Sequence, residues 1–112
     1  IVFINVVLVR LAKKYPDALK LGLDYLEKVP YNHDVLFTIG GIYYLNNKFR
    51  TAISFFDREL ETGDSDVEVL LMKAYSHQKL QENKISFDCC KKIQILDPKN
   101  KPASNLLSEL NS

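Results

Sequence analysis

Apolar residues recur three and four positions apart along most of this chain. In the middle the series runs Leu36, Ile39, Gly40 and Tyr43, then Phe49, Ala52, Ile53 and Phe56, with Asn46-Asn47-Lys48 between the two halves. That spacing gathers side chains onto one stripe of a helix, and so short a polar break makes the two helices antiparallel neighbours. Pro16 falls in the first turn of a predicted helix, where a missing N–H costs little. Pro30 and Pro98 close helices, and Pro102 opens the last one. The pattern therefore predicts helical hairpins in series.

Sliding the chain against itself by about 34 residues aligns three segments without a gap. Small residues coincide at Ala18, Ala52 and Ser86, and beside them Leu19, Ile53 and Phe87 coincide. Pro30 and Pro98 share a column, with Asp64 between them in the turn-rich stretch Thr62-Gly63-Asp64-Ser65-Asp66. Tyr15 aligns with Phe49, while Asn83 breaks that column. The middle unit, Leu36-x-x-Ile39-Gly40-x-x-Tyr43 followed by Ala52-x-x-x-Phe56, resembles the tetratricopeptide repeat. The third unit keeps Leu70, Ala74, Ser86, Cys90 and Pro98 in the same columns, and the first keeps Tyr15, Ala18 and Pro30. Several columns depart from the family pattern: Lys73 where an apolar residue is usual, His77 where Tyr is usual, and Tyr25, Glu59 and Ile93 where Ala is common.

The resemblance implies an all-α, right-handed α-solenoid of three antiparallel helical hairpins plus a C-terminal capping helix. The units are 1–32, 33–66 and 67–100, and the closing helix is 101–112. Gly40 and Ala52 fall where the two helices of a hairpin approach, with Tyr43 and Phe56 filling the adjacent space. One hairpin leaves an apolar face that only a stacked neighbour can bury. Ser104, Asn105, Ser108, Glu109 and Asn111, interleaved with Leu106, Leu107 and Leu110, suit a polar outer cap. The opening Ile1 to Val9 is apolar almost all round, so its outer side calls for upstream helices, a partner or a second copy. The chain thus reads as a piece of a longer protein.

In the family the first helix of each hairpin lines the concave surface, where peptides or helices bind. Transferred to this sequence, the groove consists of Phe3, Val7 and Arg10, then Phe37, Thr38, Gly41 and Tyr44, then Leu71, Met72, Tyr75 and Gln78. Its surface is apolar and aromatic. Members that grip a chaperone's C-terminal carboxylate do so with Lys, Asn and Arg side chains; the corresponding residues here are Phe3, Val7, Thr38, Glu68 and Met72. None of these can bind a carboxylate in that way, and Glu68 would repel one. The resemblance therefore implies a non-enzymatic scaffold that takes an apolar peptide or helix of another protein through Phe37, Tyr44, Leu71, Met72 and Tyr75. The competing reading buries Leu71 and Met72 between hairpins, leaving a bare scaffold surface. An alternative function is self-association, a homodimer burying Ile1, Ile4 and Leu8 against their copies.

Composition adds mainly exclusions. Net charge is +1 over 112 residues, and the basic residues are scattered, unlike the clustered Lys and Arg of a nucleic-acid binder. The apolar opening is shorter than the ~20 residues that span a bilayer, so no direct membrane insertion is expected. Cys89 and Cys90 are adjacent, poorly placed for a mutual disulfide, and read as small buried hydrophobes. Free thiols lean the compartment towards the cytoplasm. His33 and His77 lack metal-motif spacing from the cysteines, so no metal or other cofactor is expected. His33 fits a helix start after Asn32, and His77 a packing or groove position. The acidic run Glu59, Glu61, Asp64, Asp66 and Glu68 reads as a solvated face, and the four glycines form no phosphate loop.

Overall fold

A computed structural model describes residues 15–61 and 66–111. These form six helices and no strand: α1 (Tyr15–Lys28), α2 (His33–Leu45), α3 (Phe49–Leu60), α4 (Val67–Lys79), α5 (Asn83–Leu96) and α6 (Lys101–Asn111). Each helix packs on the next, and α2 also touches α4 across the pair α3 separates in sequence. The result is an all-helical repeat solenoid.

Helix starts repeat with the sequence period. Asn32 Oδ1 accepts from the Val35 N–H at 3.0 Å, Asp66 Oδ1 from Glu68 N–H at 2.9 Å, and Asn100 Oδ1 from Ala103 N–H at 2.9 Å. Each satisfies an N–H that the first helical turn leaves without an intrahelical acceptor. The turns inside the hairpins repeat as well. Asn47 has φ 62° and Gln81 φ 61°, the left-handed conformation that reverses the chain between α2 and α3 and between α4 and α5. Behind each, the next amide returns to the preceding helix: Lys48 N–H to Tyr43 O and Glu82 N–H to His77 O, both at 2.8 Å. Asn adopts this conformation readily, whereas Gln bears its steric cost.

The core is a chain of small clusters strung along the helices. Leu26, Val35, Leu36 and Ile39 join α1 to α2; Ala52, Phe56 and Val69 join α3 to α4; Leu70, Ile93 and Ala103 join the third hairpin to α6. Gly40 makes the closest approach inside the middle hairpin, because a Cβ there would lie 2.5 Å from Phe56 Cε1. Ser86, in the small-residue column, is fully buried and donates its hydroxyl to Ala74 O at 2.8 Å. Leu106 and Leu107 are buried against the third hairpin through Cys89 and Cys90, so α6 closes the described end of the stack.

One sequence expectation needs correction. Glu59 is not part of a solvated acidic face: it is 3% exposed, and its Oε1 lies 3.2 Å from His33 Nδ1. Burial first, then the nearby carboxylates Asp66 and Asp34, push its carboxyl above the ordinary carboxylate range, while His33 opposes them. Lys73, in a column where an apolar residue is usual, reaches Asp57 Oδ1 with its Nζ at 2.7 Å and ties α4 to α3.

Candidate functional site

The face shared by α2 and α4 arises from helical periodicity. Phe37, Gly41 and Tyr44 are separated by four and three residues, as Leu71, Tyr75 and Gln78 are one period later, so each set lies along one side of its helix. Phe37 and Tyr44, with Met72 from α4, pack around the Ala52–Phe56–Val69 cluster. Phe37 lies against Phe56 with ring centroids 6.1 Å apart, and Tyr44 meets Phe49 edge-on at 5.3 Å. Leu71 packs on the Leu70–Ile93–Ala103 cluster and Tyr75 on the Cys90–Leu106 cluster. Phe37, Tyr44, Leu71, Met72, Tyr75 and Gln78 are all half-buried, anchored below and open above.

Thr38 and Gly41 are buried, Thr38 to 6% exposure, so they stand beneath the face. Phe3, Val7 and Arg10, and the proposed self-association residues Ile1, Ile4 and Leu8, lie outside the described residues. Of the positions that correspond to a carboxylate clamp, Thr38 is buried, Met72 half-buried, and Glu68 exposed; Phe3 and Val7 are not described.

Glu109, exposed on α6 in keeping with a polar cap, also accepts at Oε2 from Gln78 Nε2 at 3.0 Å and so links α6 to α4. Counting the period onward from Gly41 and Tyr75 reaches this position. The phenols here resist ionisation. Burial raises the Tyr44 pKa, with Tyr75 adding to it; burial likewise raises that of Tyr75, followed by Cys90 and Glu109. Both remain neutral hydroxyls at physiological pH.

A second polar group ties the hairpins together away from this face. Arg50 donates through both guanidinium nitrogens to Glu82 at 3.0 Å each, and Glu82 Oε1 lies 2.9 Å from His77 Nδ1. The Arg50 bonds, then the His77 bond, hold the Glu82 carboxyl below its ordinary range. His77, in the column usually held by Tyr, is 5% exposed, a packing residue rather than a groove residue. Both thiols are buried. Cys90 is pushed up to about 11, by burial first and then by Cys89, and Cys89 is raised by burial as well. Among the described residues, no group of three or more His, Cys, Asp or Glu is placed to hold a metal ion, and no helix is long and apolar enough to cross a membrane.

Solved structures share this arrangement closely. The first tetratricopeptide domain of Spaghetti (RPAP3), bound to the HSP90 peptide SRMEEVD, superposes with a TM-score of 0.92 over 98% of this chain and 87% of that one, at 18% identity. The fold is of the tetratricopeptide-repeat type. The second such domain of human RPAP3, in complex with the HSP70 peptide SGPTIEEVD, gives 0.89 over 96% and 90% of the two chains, at 15% identity. PcrH in complex with the chaperone-binding region of PopD gives 0.81 over 98% and 83%, at 12% identity. No family model and no curated protein matches the sequence. The tetratricopeptide geometry is thus retained at identities where sequence comparison is silent.

Proposed function

We propose that this chain is a protein-interaction scaffold whose concave groove takes an apolar peptide or helix of another protein, without a carboxylate clamp and without catalysis of its own. The observation that carries the reading is the half-buried row of Phe37, Tyr44, Leu71, Met72 and Tyr75 on α2 and α4. Aromatic side chains held by packing lose little conformational freedom on binding, and Met adjusts to an irregular partner. Leu71 and Met72 keep enough exposure to meet a ligand, which favours a binding face over a bare scaffold surface.

The similar domains of RPAP3 bind acidic chaperone tails. A different ligand class is proposed for this chain because Glu68 and Met72 stand where a clamp would need cations, and an exposed carboxylate repels a carboxylate. The test begins with capture of the native partner by the full-length protein and continues with calorimetry on this 112-residue chain. A Tyr44→Ala/Tyr75→Ala variant is expected to lose roughly tenfold or more in affinity while keeping its helical circular dichroism. Full affinity in the folded variant contradicts the groove.

A further inference from the structure

Exposed aliphatic residues gather on α5, which is not a groove helix. Ile85, Ile95 and Leu96 are 42%, 81% and 46% exposed. Single exposed apolar residues are ordinary, but three on one helix face are not. The fold does not require them. One period earlier, α3 and its C-cap carry Thr51 and Glu61 at the positions of Ile85 and Ile95, and α1 carries Asp17 and Glu27 there.

The charges of the two outer faces differ as well. On α3, Arg50 donates to Glu82, Arg58 donates to Pro30 O at 2.9 Å and lies over the Tyr31 ring, and Asp57 pairs with Lys73. At the positions of Arg50, Asp57 and Arg58, α5 has the exposed residues Lys84, Lys91 and Lys92, none of which forms an ion pair among the described residues. Lys91 lies 5.9 Å from the centre of the Phe87 ring, which orients its ammonium without neutralising it. At about 100° per residue, Lys91, Ile95, Lys92, Ile85 and Leu96 follow one another around less than half of the helix. Cations and aliphatics are therefore interleaved.

We propose that the outer face of α5 is a second docking surface, independent of the groove, for an amphipathic helix of another protein that carries Asp or Glu beside Leu, Ile, Val or Met. Lysines without carboxylate partners complement an acidic segment, and burial of the three aliphatic side chains drives the contact. The interleaving favours a protein over a bilayer, because a helix lying on a membrane gathers its apolar residues on one side and its basic residues on the other. Asp88, exposed on the same arc, would also face the anionic lipid.

Displayed random peptides are selected on the 112-residue chain after depletion on a Lys91→Glu/Ile95→Glu variant, which removes groove binders because its groove is intact. Both substitutions fall at exposed positions, and circular dichroism checks the fold. Surviving peptides are expected to combine Asp or Glu with Leu, Ile, Val or Met. A representative one should bind the variant roughly tenfold or more weakly, lose affinity in about 1 M salt, and bind Tyr44→Ala/Tyr75→Ala as tightly as the parent. Survivors without an acidic bias, or survivors that lose affinity for the tyrosine variant, overturn the proposal. An empty selection overturns it too, and sedimentation of the parent but not the variant with phosphatidylserine vesicles would then assign the face to a membrane.

Discussion

Gly40 offers the sharpest test of how the middle hairpin is packed. A Cβ built there would lie 2.5, 2.9 and 3.1 Å from Cε1, Cδ1 and Cζ of Phe56, and the Phe56 ring is fully buried. Three ring atoms are struck together, so no rotation of a single methyl relieves the overlap, and ring or helix must recede by about 1 Å from well-packed neighbours. Overpacking of this kind costs about 1–3 kcal/mol. Alanine in a helix interior is better than glycine by about 0.8–1.0 kcal/mol, which offsets part of the loss. The expected net destabilisation of Gly40→Ala is about 1 kcal/mol, or roughly 4–6 °C in Tm for a domain of this size. Thermal melts followed by circular dichroism should show it. A companion Phe56→Leu substitution should make the double variant more stable than the sum of the single changes predicts, by about 1 kcal/mol. A Gly40→Ala variant melting at or above the parent temperature, or strict additivity in the cycle, would refute the packing described for α2 and α3.

Gln81 occupies the left-handed position that Asn47 fills one repeat earlier, so Gln81→Asn should stabilise the domain by about 0.5 kcal/mol in urea titrations. Because Cys90 is pushed up to about 11, its thiolate fraction at pH 8 is on the order of one in a thousand; labelling by a thiol reagent should be slow in buffer and accelerate only as denaturant opens the core. The raised Glu59 carboxyl favours its neutral form in the folded state, so its stabilising contribution is complete below the unfolded value and is lost as pH rises through the folded one. Glu59→Gln should therefore lessen the decline in stability from about pH 4.5 towards neutrality, and an unaltered pH profile would contradict that assignment.

The fold was legible because the period is carried by residues with local duties. Asn32, Asp66 and Asn100 cap helices, Asn47 turns a hairpin, and Gly40 and Ala52 admit a neighbouring side chain; each acts within a few residues of itself or within its own hairpin. The polar ties were not legible. Arg50 and Glu82 are 32 residues apart, Gln78 and Glu109 31, and His33 and Glu59 26. A repeat period says which positions are equivalent, but not which positions of adjoining units meet. Glu59 and His77 were harder still, because each is a polar residue in a packing column and its burial follows from partners on another helix. The groove falls between these cases: its helix faces were implied by the resemblance to the tetratricopeptide repeat, whereas the tie between Gln78 and Glu109 required extending the period into α6.

The central claim is that a partner binds on the face formed by α2 and α4, and the chain carries a natural reporter of it. Met72 is the single methionine and is half-buried on that face, on α4, packed with Phe37 and Tyr44 against the Ala52–Phe56–Val69 cluster. With carbon-13 in the methionine methyl group, the protein should give one methyl resonance. Titration with the captured partner is expected to shift or broaden that resonance saturably, with a midpoint equal to the calorimetric Kd. A captured partner that binds by calorimetry and leaves the Met72 methyl unmoved places the interaction elsewhere and contradicts the account.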